Sequence, residues 1–202
     1  MRKVLINSQG KALLYDGKFL AVQDWTLPPE YEDLQFVTLK NTNIYTGEKT
    51  NKTTEIEAYV NPTTTTATYL WYSDSSSSGS SNTTAYFSSS GNWRFGNKTI
   101  SIANASYVGA FHTFKQSSSG VTIDGESKGT YASMSSFTSS TELKFGSSAS
   151  TENRWKFFKH TKNGEMVSFY KACKRLSDNV AGFYDLIKEE FKPGGTAGPA
   201  ES

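Results

Sequence analysis

The chain has 202 residues, a formal net charge of +2 from 21 basic and 19 acidic residues, and 14% aromatic against 36% hydrophobic residues. That balance gives no global field to attract nucleic acid or an acidic membrane surface. The single cysteine leaves no internal disulfide, and no apolar run approaches the roughly 20 residues that cross a bilayer as a helix. Aromatic residues at this level among many Ser and Thr favour an all-β chain, with rings on inner faces and hydroxyls on outer ones. One sandwich of about 150 to 170 residues plus a small appendage fits the length.

Residues 4–22 read as two or three short strands broken by the turn sequences Ser8-Gln9-Gly10-Lys11 and Tyr15-Asp16-Gly17-Lys18. So short a set is marginal alone, so it packs on the main domain, on a symmetry-related copy or on a partner. The first seven residues turn polar too soon for a signal peptide, which implies folding in a cytosol. Residues 23–30 contain Pro28-Pro29, which stiffens the chain and stops a strand. This stretch is expected to be a linker.

From Tyr31 onward the pattern is that of short strands. Residues 55–60 alternate cleanly, and residues 63–72 are β-branched and aromatic without Gly or Pro. Strict alternation there puts Tyr69 and Trp71 on one face, with Leu70 and Tyr72 on the other. Residues 73–82, dominated by Ser, read as a long exposed loop. The strand rhythm continues through Trp93 to Phe95, Thr99 to Ile102 and Tyr107 to Phe114. Val121 and Ile123 alternate with polar residues and run into Asp124-Gly125, a strong hairpin signal. Leu143 to Phe145 and Trp155 to Lys159 alternate again. Residues 187–191 suggest one helical turn, and residues 193–202 are Gly, Pro and small or polar, a tail expected to be mobile unless a partner captures it.

The chemistry-bearing residues are few. His112 and His160 lie far from any cysteine or carboxylate at metal-ligand spacing. No nucleophile elbow, phosphate loop or dinucleotide fingerprint occurs. Glu55 and Glu57 share a face of one strand, and Glu142 and Glu152 lie in neighbouring strands, but only residue type selects them, so no enzyme activity is expected. Asp74, Asp124 and Asp178 are candidate calcium ligands, the last two in turns that favour Asp for backbone reasons. Lys156, Lys159, His160, Lys162, Lys171, Lys174 and Arg175 form a basic run, read as a solvated face. Cys173 reads as a small buried residue. Exposed aromatics on a sandwich stack on sugar rings, and Tyr69, Trp71, Trp93, Tyr107 and Trp155 form the pool for such a platform. Alternation assigns Trp93, Phe95 and Trp155 to the core and leaves Tyr69 and Trp71, beside the Ser-rich loop, as the glycan-binding candidates.

In order along the chain stand "VTIDG" at 121–125, "LKFG" at 143–146, "RWKFFKHTKNGEMVSFYKAC" at 154–173 and "SDNVAGFYDLIKEEF" at 177–191. This series resembles the C-terminal half of the laminin-G-like, concanavalin A-like jelly-roll domains of tail, fibre and head-decoration proteins of phages that infect gut bacteria. The resemblance covers about residues 32–191; it departs from the family at Lys192-Pro193-Gly194-Gly195, where such domains run on into an Asn- and Gly-containing strand. It implies an all-β, two-sheet antiparallel jelly-roll sandwich at 31–192, an N-terminal hairpin anchor and linker at 1–30, and a flexible tail at 193–202. It further implies a virion structural protein, a fibre, decoration or adhesion subunit made in the bacterial host cytoplasm. Such a protein contacts other virion proteins through residues 1–30 and forms a homo-oligomer, a trimer by analogy with fibres. The ligand, where there is one, is cell-surface or mucosal polysaccharide, with no cofactor, metal, nucleic acid or membrane insertion. A free carbohydrate-binding module and a glycosidase of the same fold are the alternatives.

Overall fold

The computed structural model describes residues 2–4, 14–15, 18–19, 21–23, 25–63, 68–73, 84–87, 93–95, 98–100, 104–130, 139 and 141–202. Among them the regular elements are β-strands and one 3-10 turn over Asn104–Tyr107. Strands β1 (Arg2–Val4), β2 (Leu14–Tyr15), β3 (Lys18–Phe19) and β4 (Ala21–Gln23) form two ladders, β1 with β4 and β2 with β3. The second ladder sets Tyr15 opposite Lys18 on either side of residues 16–17, which lie outside the described residues.

The remaining strands make one antiparallel hydrogen-bonded network. Its first members are β5 (Tyr31–Asp33), β6 (Val37–Lys49), β7 (Glu55–Pro62), β8 (Thr68–Tyr72), β9 (Thr84–Phe87), β10 (Trp93–Phe95) and β11 (Lys98–Ile100). After the 3-10 turn come β12 (His112–Gln116), β13 (Gly120–Ile123), β14 (Glu126–Thr130), β15 (Glu142–Lys162) and β16 (Glu165–Arg175). The chain ends with β17 (Val180–Asp185), β18 (Glu190–Pro193) and β19 (Thr196–Ala197).

Strand β15 joins the parts. Its first portion lies between β6 and β8, and its second between β7 on one side and first β6, then β16, on the other. From there the network runs through β8 to β11, through β7 to β14, and through β16 to β18. Along β6 the register breaks between Ser147 and Glu152, where residues 148–151 stand opposite Asn41 alone. An excess of residues on one strand bends it and increases its twist. The bend brings Phe145 onto Phe158 of the same strand, stacked at 4.4 Å, and against Trp155, Tyr170 and Phe183 at 5.2, 5.4 and 5.2 Å. The sheet thus curls around an aromatic core that includes Trp71, Phe95, Phe114 and Trp155, all fully buried. Burying one such ring contributes about 1.5–3 kcal/mol. The fold is all-β and antiparallel, and its curl is consistent with a β-sandwich.

Local sequence explains the hairpins. In the two-residue turns Asp124-Gly125 (φ 52° and 82°) and Asn163-Gly164 (φ 53° and 78°) all four residues occupy the left-handed region. That is the type I′ geometry whose twist matches the flanking strands, and Asn, Asp and Gly adopt it at least cost.

Three segments depart from the sequence reading. The first is the expected linker. From Trp25 onward it covers the outer face of β16 and β17, where Phe169, Cys173, Tyr184 and Leu186 form a second apolar cluster. Trp25 meets Phe169 edge-on at 5.0 Å, and Tyr31 meets Tyr184 and Phe191 at 4.7 and 5.3 Å. Within this cluster burial pushes the Cys173 thiol up to about 12, so it stays protonated and behaves as an apolar residue.

The second is the C-terminal segment, expected to hang free. Instead Gly194 N–H donates to Ala181 O, β19 pairs with β6, Gly198 N–H donates to Phe36 O, and Ala200 bridges Leu34. Glu201 completes the seam, its N–H on Asp33 O at 2.9 Å and its carboxylate on Lys156 at 2.5 Å. The approach is close enough that a Cβ on Gly195 (φ 82°) would lie 2.4 Å from Thr38 O.

The third is the helical turn expected at residues 187–191. Asp185 Oδ1 accepts the N–H groups of Ile187 (3.0 Å) and Lys188 (3.3 Å) as well as that of Phe169 (3.0 Å), which makes a tight turn, and β18 starts at Glu190. A side chain that satisfies several backbone donors competes with helix formation. Of the Ser-rich loop expected at residues 73–82, only Ser73 lies within the described residues, and it is buried.

Candidate ligand-binding face

On β7 the residues Ile56, Ala58 and Val60 point inward, which turns Glu55, Glu57 and Tyr59 to the outer face. The register carries that face across four strands. One row is Thr113, Tyr59, Phe157 and Lys171 on β12, β7, β15 and β16; the next is Lys115, Glu57, Lys159 and Phe169. A third holds Glu55, Thr161 and Met166.

The first row belongs to a run of half-buried rings. Tyr59 stacks beside Phe157 at 5.9 Å and 28°, and Phe111 lies 5.1 Å from Tyr59 and 5.9 Å from Phe36. The Arg154 guanidinium sits over Phe36 at 5.2 Å. In the second row Glu57 takes Lys159 on one oxygen at 2.8 Å and Lys115 on the other at 2.9 Å. Burial alone raises its pKa, but the hydrogen bonds from Lys159 and Lys115 outweigh it and hold the carboxyl below the usual range. Lys159 also lies over Phe157 and Phe169, at 4.6 and 5.0 Å. Beside this row opens a groove of about 570 Å³ whose far wall is the β12–β14 meander, with the hydroxyls of Ser117, Ser119, Thr122, Ser127 and Thr130.

Such an arrangement offers half-buried rings, ammonium donors and a carboxylate acceptor held by one another, and hydroxyls of either sense. A carboxylate kept ionised by two ammonium groups accepts hydrogen bonds and does not lend a proton near neutral pH.

The two glycan-binding candidates from the sequence fall elsewhere. Trp71 is fully buried, its Nε1–H donating to Gln116 Oε1 at 2.8 Å, and its ring lies 6.0 Å from Phe95 and 6.3 Å from Phe158. It cannot stack on a sugar. The cause is a bulge: the β8–β9 register shifts between Tyr69 and Trp71, so Leu70 and Trp71 both face inward and alternation fails by one residue. Tyr69 is half-buried and packs on Tyr72 and Tyr86 at 4.9 and 4.6 Å. Trp155 and Phe95 are core, as alternation assigned them. Trp93 starts β10, and its side chain lies outside the described residues. Tyr107 is half-buried, edge-on to His112 at 5.2 Å.

The other candidates are engaged locally. Asp124 accepts from Thr113 N–H at 2.8 Å and meets His112 Nδ1 at 2.7 Å; burial opposes ionisation, but these bonds hold its carboxyl below the usual range. Asp178 is held by Arg175, which bonds both its oxygens, and Asp74 lies outside the described residues. Glu142 accepts Gly47 N–H at 2.9 Å, and Glu152 approaches Lys40 at 4.0 Å. Nor is the basic run an open stripe. Lys156 and Lys171 meet Asp33, Lys159 meets Glu57, Lys162 meets Glu48, Lys174 meets Glu32 and Arg175 meets Asp178, while His160 is buried.

Sequence reasoning missed Tyr59, Phe111 and Phe157 as a surface group. The available signal was the alternation of residues 55–60, which turns Tyr59 outward. No protein-family model matches the chain, and no curated protein matches it significantly.

Proposed function

We propose that this chain is a non-catalytic structural protein of a phage virion, attached through residues 1–30 and displaying its β body outward as a fibre, decoration or adhesion subunit. The β body is read as a two-sheet jelly roll of the concanavalin A-like kind. The packing of Phe145 on Phe158 and Phe183 supports that reading, because it joins parts of the network that the bend in β15 separates. The observation that carries the functional reading is the state of the exposed face: the Glu57 carboxylate beside its groove is locked between two lysines, an arrangement suited to recognition and poor for proton transfer. The resemblance of residues 32–191 supplies the virion setting.

A small hairpin region in a displayed subunit needs neighbours, and most such assemblies are symmetric. Sedimentation of the full chain and of a version lacking residues 1–24 tests this, the cut leaving the Trp25 cover in place. The full chain is expected to sediment as an oligomer, a trimer by analogy with fibres, and the shortened chain as a monomer. Two monomers would remove the assembly role from the N-terminus.

A further inference from the structure

We propose that residues 194–201 form an exchangeable strand, and that the β5–β6 edge on which they lie accepts the same strand from a second copy of this chain. The inference rests on the oligomer in the display reading for its setting and deepens it by naming a contact between copies.

The segment is held almost wholly through its backbone. Gly194 N–H reaches Ala181 O, Thr196 and Ala197 pair with Thr38 and Val37, Gly198 N–H reaches Phe36 O, and Gln35 N–H reaches Pro199 O at 2.8 Å. Glu201 adds its N–H on Asp33 O and its carboxylate on Lys156. No residue of the segment is buried. A strand fixed in this way opens without taking an apolar side chain of its own into water, which places it among the low-stability parts of a fold. Pro193, paired with Gly182 on β17, is its last anchored neighbour, and Gly194-Gly195, the second at φ 82°, form the joint about which it can leave.

The edge selects what it takes. A Cβ on Gly195 would lie 2.7 Å from Val37 Cγ1, and one on Gly198 2.7 Å from the Phe36 ring, so glycine alone fits at these two positions. Lys156 is met by the carboxylate of Glu201, the third residue after the second glycine. Strand addition draws affinity from the main chain and specificity from side-chain fit, and a second copy carries a strand that meets every one of these requirements. An exchanged strand makes the same contacts as the resident one, so concentration decides between them. A strand tethered by a short joint competes at an effective concentration of about 1 mM. Dilute chains without residues 1–24 therefore stay closed, whereas neighbours held together by that region exchange. A strand passed from each copy to the next is a head-to-tail contact, of the kind that closes rings.

The test mixes two full-length variants, Thr38→Cys and Thr196→Cys, at about 1 mM each, where a second copy competes with the tethered strand. The two positions face each other across the ladder. Oxidised glutathione takes up the two electrons as the thiols join, and the buried Cys173 stays out of the reaction. The expected result is a disulfide between the two variants, seen on a non-reducing gel and located by mass spectrometry. It is expected in about tenfold excess over a control pair of Thr38→Cys with Ser118→Cys, an exposed position between β12 and β13 that meets Thr38 only by collision. Adding Gly198→Val to the Thr196→Cys chain is expected to return the product to the control level, with the fold checked by circular dichroism. A product no greater than the control, or one that Gly198→Val leaves unchanged, would overturn the proposal. At this concentration exchange needs no prior assembly. Its failure is therefore distinguishable from a failure of the oligomer, which sedimentation reads, and from a failure of display, which the composition of particles reads.

Discussion

At Trp71 the indole fills the core and gives its N–H to Gln116, so truncation removes a ring and leaves a cavity. Trp71→Ala is expected to cost about 3–5 kcal/mol, seen as a fall of roughly 6–20 °C in Tm. A Tm within a degree or two of the parent would put the side chain back on the surface. His160 supplies a second residue-scale prediction. It is fully buried, and neither ring nitrogen has a partner among the described residues. Burial, helped by Lys162, pushes its pKa down to about 4 from the ordinary 6.5. Between those values the unfolded chain binds a proton that the folded chain does not. Stability is therefore complete above about pH 6.5 and declines as pH falls towards 4, by on the order of 3 kcal/mol from this residue. Urea unfolding of the parent and of His160→Met at pH 7 and pH 5 checks this: the parent loses more stability than the variant. Equal losses would show that His160 is not the source.

At the scale of elements, the strands were the legible part and their faces were not always so. Residues 55–60 alternate in burial as they do in hydrophobicity, and Asp124-Gly125 forms the turn its sequence announces. Trp71 was misassigned because a bulge moves every later side chain to the opposite face, and one misplaced residue is invisible to a period-two pattern. A like shift between Trp155 and Phe157 turns Phe157 outward and Phe158 inward, a choice the sequence Phe-Phe leaves open. The C-terminal segment was illegible for another reason. Its small residues carry no apolar signal, and its attachment is through backbone hydrogen bonds and the Glu201–Lys156 pair. Deleting residues 194–202 uncovers the β6 edge and leaves Lys156 with Asp33 alone as its carboxylate partner among the described residues. The expected cost is roughly 1–3 kcal/mol, measured by thermal unfolding. An unchanged Tm would mean that the segment adds no stability.

Across the whole molecule, the candidate face depends on register: Tyr59, Phe157, Glu57 and Lys159 come from segments about a hundred residues apart, and only strand pairing makes them neighbours. No local motif announces such a face, because its residues meet only through strand register. The paired cations have the same origin, since Lys156, Lys159 and Lys162 find carboxylates on β5, β7 and β6. Pairs at a surface each contribute about 0–1 kcal/mol, and these are only partly exposed. Display of this surface makes the chain a stoichiometric part of a particle. Quantitative mass spectrometry of purified virions, counting this chain against the major capsid protein, measures this. The expected result is a fixed copy number, a multiple of the oligomer found by sedimentation, that survives density-gradient purification. Recovery of the chain only in the soluble fraction of the lysate would contradict it.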